Sequence, residues 1–189
     1  MSTQPRPYIT EEQYLEIEEK AERRSEYFRG EMFPVETATF SHATIHRNLV
    51  LGLGRELSGS GCELWFSELR IRVLATGLYT YPDIVVICGK IQVSEDDKNS
   101  VTNPKVIIEI LSPTTEGYDR GKKFAQYRSI PSFVEYLLVA QDCVYAEHHI
   151  KQPDGRWLLD ETSDGNAIIS LESIGVRFKL SEAYAGVEF

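Results

Sequence analysis

Val106-Ile107-Ile108-Glu109-Ile110-Leu111 decides the fold. Five apolar residues in six, mostly β-branched, read as a strand covered on both faces. Ser112-Pro113 ends it. Residues 119–129 read as a helix, and Val134 to Val139 as the next strand. Upstream, Ile84-Val85-Val86-Ile87-Cys88 is a second strand of the same kind. The polar stretch 89–104 between the two reads as an exposed loop. Glu63 to Phe66 and Leu69 to Leu74 alternate like strands and suggest one hairpin or one bent strand.

Further out, Ser41 is a plausible N-cap, followed by Ile45, Leu49, Leu53 and Leu57 at helical spacing, which predicts a helix over 42–58. Thr10-Glu11-Glu12-Gln13 has capping-box spacing and opens a helix over 11–22. Residues 25–33 read as a strand pair turning at Gly30. Residues 142–150 and 156–160 read as a hairpin closed at Pro153-Asp154-Gly155. The last thirty residues suggest short strands. The whole is an α/β (α+β) layer arrangement, with one sheet, helices against it and extra β-hairpins. With 189 residues, no repeat and no linker, the chain is expected to be a single domain, 1–189.

Composition narrows the function. The net charge is −9, and it is uneven. Residues 1–40 carry nine acids against five bases, residues 41–140 eleven of each, and residues 141–189 nine against four. An acidic chain is repelled at long range by nucleic acid and membranes, although the neutral middle leaves room for a local site. No apolar run approaches the about 20 residues of a membrane span, and residues 1–10 show no apolar leader. Cys62, Cys88 and Cys143 are too few and too odd in number for a disulfide framework. They read as core thiols of a cytoplasmic protein.

Three places could carry chemistry. Asp83 follows Pro82 and opens a buried strand. Glu109 lies among isoleucines and valines, where a carboxylate is costly unless paired or holding a metal. Asp119, Lys123 and Tyr127 differ by four each and share one helical stripe, which is either a local ion pair with an aromatic anchor or part of a site. His42 and His46 have a metal-capable i,i+4 spacing, but no His-Glu-x-x-His accompanies them, so zinc is not expected. His148 and His149 point to opposite faces of a strand. Arg120, Lys122, Lys123 and Arg128 make one helix locally basic, either as solvated surface or as a substrate contact.

Pro82-Asp83 followed by Glu109-Ile110-Leu111 resembles the Pro-Asp…(Asp/Glu)-x-Lys signature of the PD-(D/E)XK nuclease superfamily. The longer block, Glu109 to Thr115 with Asp119, Lys123, Tyr127 and Glu135-Tyr136, resembles the Uma-type restriction-endonuclease-like family. The likeness covers about residues 8–150. It implies a restriction-endonuclease-like core over about 41–140, a mixed central sheet flanked by helices, with an N-terminal helix and hairpin and a C-terminal β extension. The superfamily lysine would fall at 111, which is Leu111; in the Uma-type pattern it comes from the following helix, where Lys123 matches. The resemblance implies a metal-dependent endonuclease hydrolysing DNA, using Mg2+ or Mn2+, with Asp83, Glu109 and Lys123 catalytic. The metal ligands implied are Asp83, Glu109 and the main-chain carbonyl of Ile110. Asp119 and Tyr127 would position Lys123, His42 would line the site, and Arg120, Lys122 and Arg128 would meet substrate. A homodimer is expected, since cutting two strands takes two sites. The alternative is a catalytically inactive module that keeps the fold for interaction or nucleic-acid binding.

Overall fold

A computed structural model describes residues 8–66 and 68–189. The reading of the N-terminus as free of a leader falls partly on residues 1–7, outside the described residues.

Helix α1 (Glu11–Lys20) is capped as the sequence predicts: the Thr10 hydroxyl accepts from the Gln13 N–H, and the Gln13 side chain accepts from the Thr10 N–H. Strands β1 (Ser25–Phe28) and β2 (Glu31–Pro34) pair antiparallel, with Phe28 opposite Glu31. Arg29 and Gly30 close the hairpin with φ of 48° and 87°, the type I′ geometry that suits a two-residue loop. A Cβ at position 30 would lie 2.2 Å from the Tyr8 ring, so glycine also permits that approach.

Helix α2 (Phe40–Glu56) begins two residues earlier than expected. Its cap is Thr39, whose hydroxyl accepts from the His42 N–H, and Ser41 is already helical. Ile45, Leu49 and Leu53 are buried along its inner stripe. Each contributes about 2 kcal/mol of apolar transfer.

Strands β3 (Cys62–Phe66) and β4 (Arg70–Val73) are not one hairpin or bent strand, because they belong to different sheets. Then come β5 (Leu78–Thr80), β6 (Ile84–Cys88), β7 (Ser100–Val101) and β8 (Val106–Leu111). The 89–104 stretch is not wholly an exposed loop: β7 pairs parallel with β4, and Ser94, Ser100 and Val101 are buried. A helical run follows: α3 (Glu116–Tyr118), a π-helical turn (Asp119–Lys123) and α4 (Phe124–Tyr127). Strands β9 (Glu135–Ala140), β10 (Ala146–Lys151) and β11 (Trp157–Thr162) continue the chain. It ends with β12 (Ile168–Leu171), a 3-10 turn (Glu172–Ile174), β13 (Val176–Lys179) and α5 (Leu180–Ala183).

The single expected sheet is therefore several. A mixed six-stranded sheet has the order β11-β10-β9-β8-β6-β3, with only β8 and β9 parallel. A five-stranded sheet runs β2-β1-β5-β4-β7, and β12-β13 form a separate pair. Alternate residues of the large sheet feed two cores, as a period of two requires. Ile84, Val86, Val106, Ile108 and Ile110 pack with α2 and the C-terminal unit. Val85, Ile87, Ile107 and Leu111 pack with Phe124, Tyr127 and the small sheet's Ile71, Val73 and Leu78. The chain passes from the small sheet to the large one through Tyr81-Pro82-Asp83, between β5 and β6.

The cysteines correct the core-thiol expectation. Cys62 and Cys88 face each other across β3 and β6 and form a disulfide, while Cys143 is exposed. Their 26-residue separation hides a pairing that the strand register creates. Among the described residues, no helix is long and apolar enough to cross a membrane.

Candidate active site

Asp83 stands where the chain leaves the small sheet, one residue before Ile84 pairs with Ile108. Its Oδ2 accepts from the Ile110 N–H at 2.7 Å. Its own N–H donates to Glu109 Oε2 at 3.2 Å. The two acids are thus neighbours at the open end of the β6–β8 ladder. Glu109 shares the parity of Ile107 and Leu111, so it faces the helical run rather than α2. N–H and C=O of one strand residue point to the same side. The Ile110 carbonyl therefore points past the end of β6, beside the Asp83 carboxylate.

Lys123 comes from the π-helical turn. Its Nζ lies 3.0 Å from Glu109 Oε1, 3.1 Å from Glu26 Oε1 and 3.5 Å from Asp119 Oδ1. A π turn widens the helix by one residue and leaves a carbonyl to be satisfied elsewhere. The Tyr136 hydroxyl donates to the Asp119 carbonyl at 3.3 Å. The Tyr127 hydroxyl donates to Glu109 Oε1 at 3.0 Å. Asp119, Lys123 and Tyr127 thus share one buried stripe, and the Asp119–Lys123 ion pair is present. Lys122 is exposed, as its place one residue around the helix requires.

Asp83, Glu109, Lys123, Asp119 and Tyr127 therefore converge, and His42 joins them with Nε2 3.3 Å from Asp83 Oδ2. Two residues were not foreseen. Glu26 sits on β1 with parity opposite to Tyr27, facing the large sheet, and accepts from the Thr80 hydroxyl and the Tyr81 N–H. Nothing in Ser25-Glu26-Tyr27-Phe28 marks it, because only the pairing of β1 with β5 brings it to Lys123. His46 Nε2–H donates to the Asp83 carbonyl at 3.0 Å, a second use of the i,i+4 histidine spacing.

The substrate-contact residues do not converge. Arg120 is committed to Glu147 at 2.6 Å and to Glu116. The Arg128 guanidinium lies over the Phe124 ring, 5.2 Å from its centroid. Arg70 and Arg72, which alternate on one strand face, are held by Asp97 and by Glu11 with Asp96. His148 and His149 do face opposite ways: His148 towards Glu135, His149 against Phe124.

Electrostatics follow from crowding four carboxylates round one lysine. Burial pushes the Glu109 carboxyl up to about 8; Lys123 pulls against this, while Asp119 and Asp83 add to it. Burial also raises Asp119, against Lys123. Burial alone would raise Asp83, but the His42 hydrogen bond and charge, the Ile110 N–H and Lys123 outweigh it and hold it low. Burial would lower Lys123, yet Glu109, Glu26 and Asp119 push it well above its usual range. Glu26 and Asp119 secure the ammonium even when Glu109 keeps its proton. His42 is raised: burial opposes this, and Asp83 overcomes it.

Among the described residues, no three His, Cys, Asp or Glu side chains form a ready metal cluster. Two carboxylates and one carbonyl are nonetheless an all-oxygen donor set. They suit a hard cation such as Mg2+, which keeps several waters and needs only one or two carboxylates.

A mixed sheet that presents two strand-borne carboxylates at one ladder end, with a helix-borne lysine over them, defines a restriction-endonuclease-like core. The Uma2 family, described as "Putative restriction endonuclease", matches residues 11–182, and the chain belongs to it. Two proteins of Synechocystis sp. (strain ATCC 27184 / PCC 6803 / Kazusa) are similar. The uncharacterized protein sll1609 is 37% identical over 161 residues, covering 85% of this chain and 91% of that one. The uncharacterized protein slr1290 is 34% identical over 187 residues, covering 98% and 96%. A crystal structure from Anabaena variabilis ATCC 29413, described as "a putative nuclease belonging to DUF820", superposes with a TM-score of 0.77 at 18% identity. It covers 95% of this chain and 99% of that one. At that identity the likeness establishes the shared fold.

Proposed function

We propose that the protein is a Mg2+- or Mn2+-dependent endonuclease that hydrolyses phosphodiester bonds in DNA. The observation that carries this reading is the buried Lys123 ammonium 3.0 Å from Glu109, whose Oε2 accepts from the N–H of Asp83. Asp83, Glu109 and the Ile110 carbonyl would hold the cation. When bound, it would supply charge neutralisation and polarise the phosphoryl oxygen. Lys123 stays protonated, so it acts as a donor that orients the attacking water and stabilises developing charge rather than as a base. Asp119 and Glu26 keep that ammonium in place from two sides. Tyr127 fixes the Glu109 carboxylate, and His42 with His46 fixes Asp83.

The test is a cleavage assay on plasmid and on single-stranded DNA with added Mg2+ or Mn2+, either cut counting as nicking, read beside a thermal-shift series in the same metals. Wild type is expected to nick and to gain metal-dependent stability, and Asp83→Ala and Glu109→Ala to lose both. A wild type that neither nicks nor is stabilised by metal would sink the reading and leave the inactive module.

A further inference from the structure

The charge distribution around the site leaves one approach open. The cleft of about 910 Å3 against α1 is lined by seven acids against Arg24, Arg70 and Lys98, and its lining includes none of Asp83, Glu109 and Lys123. It repels a polyanion. Helix α1 itself carries five acids and one lysine. On the 116–128 run Arg120 is ion-paired with Glu116 and Glu147, and Arg128 lies over the Phe124 ring. Helix α2 differs. Its solvent face carries Ala43, Arg47, Leu51 and Arg55 at four-residue intervals, all exposed. Arg47 touches only the neutral Asn48 amide at 3.1 Å, and among the described residues neither arginine makes an ion pair. Gly54, on this face, has nothing within 4 Å of where a Cβ would stand.

The same helix starts at the site. Phe40, two residues ahead of His42, is 94% exposed. Phe66, the last residue of β3, pairs with Ile84, next to Asp83. Its ring is 48% exposed and stands edge-on to His46 at 5.7 Å. An aromatic left in water beside a phosphodiester-cutting site suits an unstacked base, and stacking of that kind needs no sequence. Two arginines about 12 Å apart along a helix axis are too few to grip a duplex by its phosphates.

We propose that single-stranded nucleic acid is the substrate class, laid along the outer face of α2, with its phosphates on Arg47 and Arg55 and a base against Phe66 and Phe40. This rests on the nuclease reading for its direction, but not for its test. Binding is measured without metal, so that nothing is cut, by fluorescence anisotropy of labelled single-stranded DNA, single-stranded RNA and duplex DNA of one sequence. Single strands are expected to bind at least about tenfold tighter than duplex, with the DNA and RNA arms naming the sugar preferred. Phe66→Ala is expected to weaken single-strand binding about 5- to 100-fold, and Phe66→Trp to retain it. Arg47→Ala with Arg55→Ala is expected to reduce the slope of log affinity against log salt by about 1.4. These side chains are exposed, and equal melting temperatures verify that the variants fold. Duplex binding as tight as single-strand binding, an unchanged Phe66→Ala or an unchanged salt slope would each overturn the proposal. Cleavage by wild type with unaltered binding by Phe66→Ala removes this surface and leaves the nuclease. Single-strand binding as described, with no cleavage in any metal, does the reverse.

Discussion

Glu109→Gln should stabilise the metal-free protein relative to wild type, and increasingly so as pH rises. Burial holds the Glu109 carboxyl at about 8, against 4.5 when free. Between those values the folded state keeps a proton that the unfolded chain releases. Stability therefore falls as pH rises through the window, at up to about 1.4 kcal/mol per pH unit. From pH 5 to pH 8 this one group removes up to about 4 kcal/mol. Glutamine does not titrate, and its one oxygen can still accept from Tyr127, while its NH2 takes the place of the oxygen that accepts from the Asp83 N–H. The gap between variant and wild type should widen by about 2–4 kcal/mol from pH 5 to pH 8. Asp119, also raised, leaves both proteins a residual slope of the same sign. Asp83 is lowered, so its contribution is lost only as pH falls through the acid range, below this window. Urea unfolding in chelator at four pH values measures the curves. Parallel curves would refute the crowding argument, because they would show that Glu109 is ionised in the folded protein at pH 5.

Lys123→Met should leave Glu109, Glu26 and Asp119 without a cation, costing about 3–5 kcal/mol by denaturant unfolding. It should also reduce cleavage about 100- to 1000-fold; wild-type rates would remove Lys123 from the chemistry. Leu49→Ala, on the buried stripe of α2, should cost about 2–5 kcal/mol in the same measurement. A smaller loss would mean that α2 is less firmly seated than its burial indicates. Cys62→Ser should lower stability by about 3 kcal/mol and abolish the effect of reductant on the melting temperature; a wild type indifferent to reductant would argue against the cross-strand bond.

The parts of the fold legible in sequence were those with a local cause. Ile84 to Cys88 and Val106 to Leu111 declare themselves because strands covered on both faces must be apolar at every position. Asp83 and Glu109 stand out against those runs, and the resemblance to the Uma-type pattern points to Lys123 on the following helix. What stayed hidden depends on register between distant segments. Glu26 reaches Lys123 only through the β1–β5 pairing. Cys62 meets Cys88 only through β3–β6. Arg120 looks free until β10 brings Glu147 beside it. The assignment of β3 and β4 to separate sheets has the same origin: alternation specifies a strand but not its neighbour.

The π-helical turn at Asp119–Lys123 has a consequence for chain-length changes. It holds one residue more than an α-helical turn. Deleting Gly121, an exposed position with nothing within 4 Å of its missing Cβ, would let an unbroken α-helix form. Asp119 and the lysine would then stand three residues apart in an α-helix, still neighbours on one face. A one-residue gap in this turn, in a related chain or a made one, would therefore leave the lysine with its Asp119 anchor.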